Sequence, residues 1–199
     1  MKSMRFRLSQ DFKKPSLDLE RSRVMIGLCL FEKRIQSSPD CDELTSLTFE
    51  ICTDDGTLYK KVEKLPALSL IKQRTIVINL AYCTEHELSN DYAGLIAHEL
   101  GHIFPQHSHQ PKLLQDRLPV PGKGFHPFGV PSFDSAKGAY RNFAADFYAC
   151  RWGLFKEVAS YRFKRTGDPH YEDVLAKYTD ETEFRLAAYH YRKSTHFWI

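Results

Sequence analysis

The hydrophobic positions in the first forty residues follow helical spacing. Four apolar residues recur at i, i+4, i+7 and i+11, which is the core face of an amphipathic helix: Val24, Leu28, Phe31 and Ile35. This pattern predicts a first helix that begins after Ser16 and ends near Ser37-Ser38-Pro39. Residues 1–15 are basic and polar, and we expect them to form a loosely held arm.

The next forty residues have the pattern of strands. Leu47, Phe49 and Ile51 alternate with polar residues, as in a half-buried strand. Asp54-Asp55-Gly56 has turn chemistry, so residues 57–62 are predicted to complete a hairpin. The β-branched run over residues 75–80 predicts another strand, either buried or at a sheet edge.

The rest of the chain is predicted to be helical, apart from one loop. An apolar helix begins between Glu87 and Asn90 and ends near Phe104, because Pro105 disfavours its continuation. Residues 106–137 contain five prolines and three glycines and predict a long loop of the kind that is often functional. Another core helix is predicted from an apolar repeat that comprises Tyr140, Phe143, Phe147, Cys150 and Leu154. Asp168-Pro169 and Asp180-x-x-Glu183 look like the starts of two closing helices.

These elements predict an α+β fold in a single domain of 199 residues, with a small, mostly antiparallel sheet packed on helices. The net charge of +3 is too small, and too evenly spread, to indicate direct nucleic-acid binding. The apolar run from Val24 to Phe31 is much shorter than the roughly 20 residues of a membrane span. The five widely spaced cysteines are odd in number, which favours reduced thiols. We therefore expect a cytoplasmic protein that does not contact membranes.

The segment His98-Glu99-Leu100-Gly101-His102 carries the strongest chemical signal. Two histidines four residues apart lie on one face of a helix, so both imidazoles can reach a single metal ion. Glu99 stands beside the first histidine, where it can take a proton from a water molecule that attacks a carbonyl group. The pattern also occurs by chance on ordinary helices, but the strand before it and the helix after it favour a zinc site.

Three segments resemble the HtpX-like and CAAX-prenyl-endopeptidase group of gluzincin metallopeptidases. They are residues 76–80, residues 94–103 followed by His107-Ser108, and the helix at 141–146, which is also similar to an element of the ImmA/IrrE regulatory peptidases. The resemblance implies a zincin-like fold, a zinc ion and hydrolysis of a peptide or protein substrate. It implies His98 and His102 as ligands, Glu99 as the general base and Asp146 as a supporting aspartate. It also implies an edge strand that aligns the substrate, for which residues 75–80 are the candidate.

Asn142 departs from this family, because it stands where the ligand glutamate is expected. We expect Asp146, one turn later on the same helical face, to be the third zinc ligand. His107 or His109 could supply it instead, and a degenerate site without a third ligand would hold metal weakly or not at all. The alternative function is a catalytically inactive zincin-like binding or regulatory protein. A regulatory peptidase that cleaves a repressor would need a separate DNA-binding partner.

Two residues are further candidates for hydrogen bonding to a developing oxyanion. His126 lies in the long loop, although loop histidines are more often solvated. Tyr140 precedes the helix of Asp146, although its place in the apolar repeat favours a core role.

Overall fold

The computed structural model describes residues 4–54, 56–107, 142 and 145–166, and this part of the chain has the predicted α+β fold. The strands are β1 (Arg5–Leu8), β2 (Thr48–Thr53), β3 (Ala67–Leu70) and β4 (Thr75–Ile78). The helices are α1 (Asp18–Ile35), α2 (Cys41–Ser46), α3 (Tyr59–Val62), α4 (Leu80–Glu85), α5 (Tyr92–His107), α6 (residues 145–151) and α7 (Phe155–Thr166). The predicted loop beyond His107 and the two predicted closing helices lie outside the described residues.

The four strands form one mixed sheet in the order β1-β2-β4-β3. β1 pairs with β2, and β2 with β4, in parallel, while β3 and β4 are antiparallel. The prediction of a mostly antiparallel sheet is therefore wrong. α1 and α2 lie between β1 and β2 along the chain, and such helical crossovers return the next strand in the same direction.

The predicted hairpin is also wrong, although its first strand is confirmed. Phe49, Ile51 and Thr53 are buried on one face of β2, as the alternation predicts. Residues 59–62 form the short helix α3 instead of a second strand. Leu58 and Val62 lie one helical turn apart, and the fully buried Val62 attaches this turn to the core.

β4 lies inside the sheet and not at its edge. All four of its residues are buried, and it pairs with β2 on one side and β3 on the other. Its backbone groups are thus already paired, so residues 75–80 cannot align a substrate as expected. Among the described residues, β3 is the edge strand on this side of the sheet.

The described part of the predicted N-terminal arm belongs to the fold. β1 pairs with β2, and Phe12 is fully buried in the turn that follows. The ring of Phe6 lies 6.0 Å from that of Phe31 and 6.1 Å from that of Phe49. Residues 4–15 are thus held by aromatic packing and by strand pairing, and the expectation of a loose arm is wrong for them.

α5 is the central helix, and its described residues are almost completely buried. It packs against α1, α7 and β3, which explains why its sequence is mostly apolar. It begins slightly later than predicted and continues through Pro105 to His107. The Phe104 ring packs edge-on against Trp152, with centroids 5.5 Å apart, and anchors the turn before Pro105.

α6 ends earlier than its apolar repeat suggests. Gly153 has a φ of +84°, and its N–H and that of Leu154 donate to the carbonyls of Cys150 and Ala149. These two bonds form a Schellman motif, which closes a helix at a left-handed residue. Leu154 therefore lies between α6 and α7. None of the helices in the described residues has the length and apolar character needed to cross a membrane.

Candidate metal centre

Two glycines on α5 allow the helices that surround the site to approach closely. A Cβ atom on Gly101 would lie 2.3 Å from the carbonyl oxygen of Ala145 in α6. A Cβ atom on Gly94 would lie 2.1 Å from the carbonyl oxygen of Glu157 in α7. Any larger residue at Gly101 would separate α5 from α6, so this glycine sets the distance between the motif and Asp146.

The two histidines of the motif lie together on α5, as predicted. Their ring centroids are 4.8 Å apart and the rings are nearly perpendicular. The His98 ring is buried, and its Nδ1–H donates to Asp146 Oδ1 at 2.5 Å. Because a carboxylate can only accept, this bond leaves the lone pair of His98 on Nε2. Metal-binding histidines are commonly fixed in this way.

His102 is half-buried, and some of its neighbours lower its pKa while others raise it. Burial, and to a smaller extent the nearby His98, lower the pKa of His102 to about 4. Glu99, Asp146 and a side-chain hydrogen bond with Asn142 act in the opposite direction but are weaker. His102 is therefore neutral at pH 7, which is the form that binds metal ions. Because of this hydrogen bond, Asn142 lies at the site, at the position where the resemblance implies a ligand glutamate.

Asp146 is fully buried between α5 and α7. Its Oδ1 accepts from His98, and its Oδ2 lies 3.3 Å from Nε of the buried Arg162. Both oxygens thus have protein neighbours. These contacts favour a supporting role for Asp146. The role of Asp146 as the third ligand stays a prediction. Among the described residues, no group of three His, Cys, Asp or Glu side chains is close enough to hold a metal ion.

Glu99 is 5% exposed and faces the edge strand of the sheet. The Ser69 hydroxyl of β3 is within hydrogen-bonding distance of Glu99 Oε2, and it also lies 3.0 Å from the Glu99 carbonyl oxygen. On the other side, α7 brings the Tyr161 ring to 5.7 Å from that of His98. Arg165 donates to the Tyr161 hydroxyl at 3.2 Å. Burial raises the pKa of Tyr161, so this hydroxyl stays protonated.

Four residues of this site were not predicted from the sequence: Ser69, Tyr161, Arg162 and Arg165. Three of them lie on α7, which was not predicted. Leu154, Val158 and Tyr161 have the i, i+4, i+7 spacing of a helical core face, so the signal was present. The other candidates lie outside the described residues: the side chain of His107, and His109, His126 and Tyr140.

A comparison of the chain with protein-family models, curated proteins and solved structures gave no match.

Proposed function

We propose that the chain is a zinc-dependent peptidase whose active-site helix is α5. The main support is one arrangement: the Asp146 carboxylate fixes the buried His98 ring, and the His102 ring lies 4.8 Å from it. Glu99 lies between the two histidines in sequence. A histidine fixed by a carboxylate, with a second histidine one helical turn away, is an arrangement typical of metal-binding histidines.

His98 and His102 would hold the zinc ion, with Asp146 as the partner of His98. Zinc, when bound, would act as a Lewis acid that polarises the scissile carbonyl and acidifies water. The chain supplies the proton transfers. Glu99 would take a proton from the attacking water and later give it to the leaving amine.

The edge strand β3 would align the peptide substrate. An extended peptide can pair with the free side of an edge strand through backbone hydrogen bonds. β3 packs against α5, and its Ser69 reaches Glu99. A peptide bound along β3 would therefore pass beside the proposed general base.

The third ligand is open between Asn142, Asp146, His107 and His109. Asn142 is close enough to bond His102, but a neutral amide binds zinc less well than a carboxylate. This observation also favours a second candidate function, an inactive zincin-like binding protein. That protein would bind peptides but would have no use for the carboxylate of Glu99.

The test combines metal analysis with one substitution. We expect about one zinc per chain, and Glu99→Gln should keep the zinc but lose peptidase activity, since the amide retains the shape without the base. Fluorescein-labelled casein serves as a general substrate, and Ser22→Ala on the exposed side of α1 is the control. A chain that takes up no zinc after reconstitution contradicts the proposal. A zinc-loaded chain that binds peptides but cleaves none favours the second candidate.

A further inference from the structure

The Glu99 carboxylate is buried and needs a partner from outside its own helix. A carboxylate removed from water is destabilised unless donors replace its hydration. The Ser69 hydroxyl is such a donor, because it contacts Glu99 Oε2 from the neighbouring strand. A hydrogen bond to a charged acceptor is stronger than one between neutral groups.

Ser69 also fixes the strand relative to the helix backbone. Its hydroxyl oxygen lies 3.0 Å from the Glu99 carbonyl oxygen, so the same side chain reaches both the backbone and the carboxylate of one residue. The opposite side of β3 pairs with β4, where Ser69 is in register with Ile76. The hydroxyl is thus carried by a strand that cannot shift without breaking the sheet.

We propose that Ser69 is a positioning residue that holds the Glu99 carboxylate for proton transfer and couples it to the substrate-binding edge. This inference rests on the proposed peptidase function. A general base must lie within about 3 Å of the oxygen atom whose proton it takes, and an unrestrained glutamate samples several rotamers. Ser69 restricts the Glu99 side chain to one position, and it does so from the strand along which the peptide would bind.

The kinetic test compares Ser69→Ala with Ser69→Thr in the zinc-loaded protein. The substrate is a quenched fluorescent peptide chosen from a mixed-sequence library by cleavage with the parent. We expect Ser69→Ala to lower kcat about 10- to 100-fold, which corresponds to the loss of one hydrogen bond to a charged group. KM and zinc content should change little, and Ser69→Thr, which keeps the hydroxyl, should restore most of kcat. Ser22→Ala, whose hydroxyl bonds the Asp18 carbonyl of its own helix, is the matched control.

A second measurement does not depend on activity. In urea unfolding of the metal-free protein, Ser69→Ala and Glu99→Ala should be non-additive, because each removes the same hydrogen bond. Additive effects, an unchanged kcat in Ser69→Ala, or a change confined to KM would each overturn the inference while the peptidase function stands. A parent that binds zinc but cleaves no peptide would overturn the proposed function, and this inference with it.

Discussion

Gly101→Ala should destabilise the protein, although the same change stabilises most helices. In an exposed helix interior, alanine is favoured over glycine by about 1 kcal/mol. At Gly101 the added Cβ would lie 2.3 Å from the Ala145 carbonyl oxygen, about 1 Å short of the 3.4 Å at which ordinary contact begins. The obstacle is backbone, which cannot rotate away as a side chain can.

The magnitude follows from these two opposing effects. Overpacking a tight contact costs about 1–3 kcal/mol, and a backbone obstacle favours the upper end of this range. After the gain in helix propensity, the free energy of unfolding should fall by about 2 kcal/mol. For a chain of this length the melting temperature should then fall by about 4–8 °C. Because α6 must move away from α5, the distance from His98 to Asp146 should also increase, and zinc affinity should fall.

Gly94→Ala is the matched comparison. Its Cβ would meet the Glu157 carbonyl of α7 at 2.1 Å, so a similar loss of stability is expected. The contact between α5 and α6 would remain, so zinc affinity should fall less than in Gly101→Ala. Thermal unfolding and competition with a chelating indicator measure the two quantities. A higher melting temperature in Gly101→Ala, as propensity alone requires, would refute the close packing of α5 on α6.

Three further predictions concern Asp146, Asp40 and the cysteines. Asp146→Ala should lower zinc affinity by about 10- to 100-fold, which is the range for loss of a residue that orients a ligand. A much larger loss in the chelator assay would instead identify Asp146 as a ligand. Asp40→Ala should lower the free energy of unfolding by about 3–5 kcal/mol, because the buried carboxylate accepts from Arg151 at 3.1 Å and Trp152 at 2.9 Å. Urea unfolding measures this change, and a value below about 1 kcal/mol would contradict the prediction. Cys29 is exposed and should react with a thiol reagent in the native protein. Burial raises the pKa of Cys83 to about 12, so Cys83 should react only after unfolding. Equal modification rates at the two cysteines in the native protein would refute the burial of Cys83.

The elements that the sequence predicted well are those defined by local spacing. α1 and β2 each have a buried face that repeats with the period of a helix or a strand, whereas β4 and α5 were predicted from runs of mostly apolar residues. The position of the two histidines of the motif on one face follows from helix geometry alone. Strand direction does not follow from spacing, because it depends on how the chain returns between strands. The hairpin was predicted from turn residues that in fact lead into α3.

The edge of the sheet could not be found from the sequence for a related reason. β4 has the more β-branched sequence, which suits the interior of a sheet, and the edge position falls to the less regular β3. The order of strands depends on contacts between residues far apart in sequence. Ser69 therefore had no local signal that could link it to Glu99.

Asp146 illustrates how a neighbour from another element changes the interpretation of a motif. In the sequence of its own helix, Asp146 supplies the negative charge that Asn142 lacks. A third-ligand role for Asp146 is therefore a reasonable prediction from that helix alone. α7 then brings Arg162 to the second carboxylate oxygen, while His98 takes the first. A buried carboxylate between a histidine and an arginine is already balanced in charge, and turning it towards a metal ion would leave Arg162 buried without this partner.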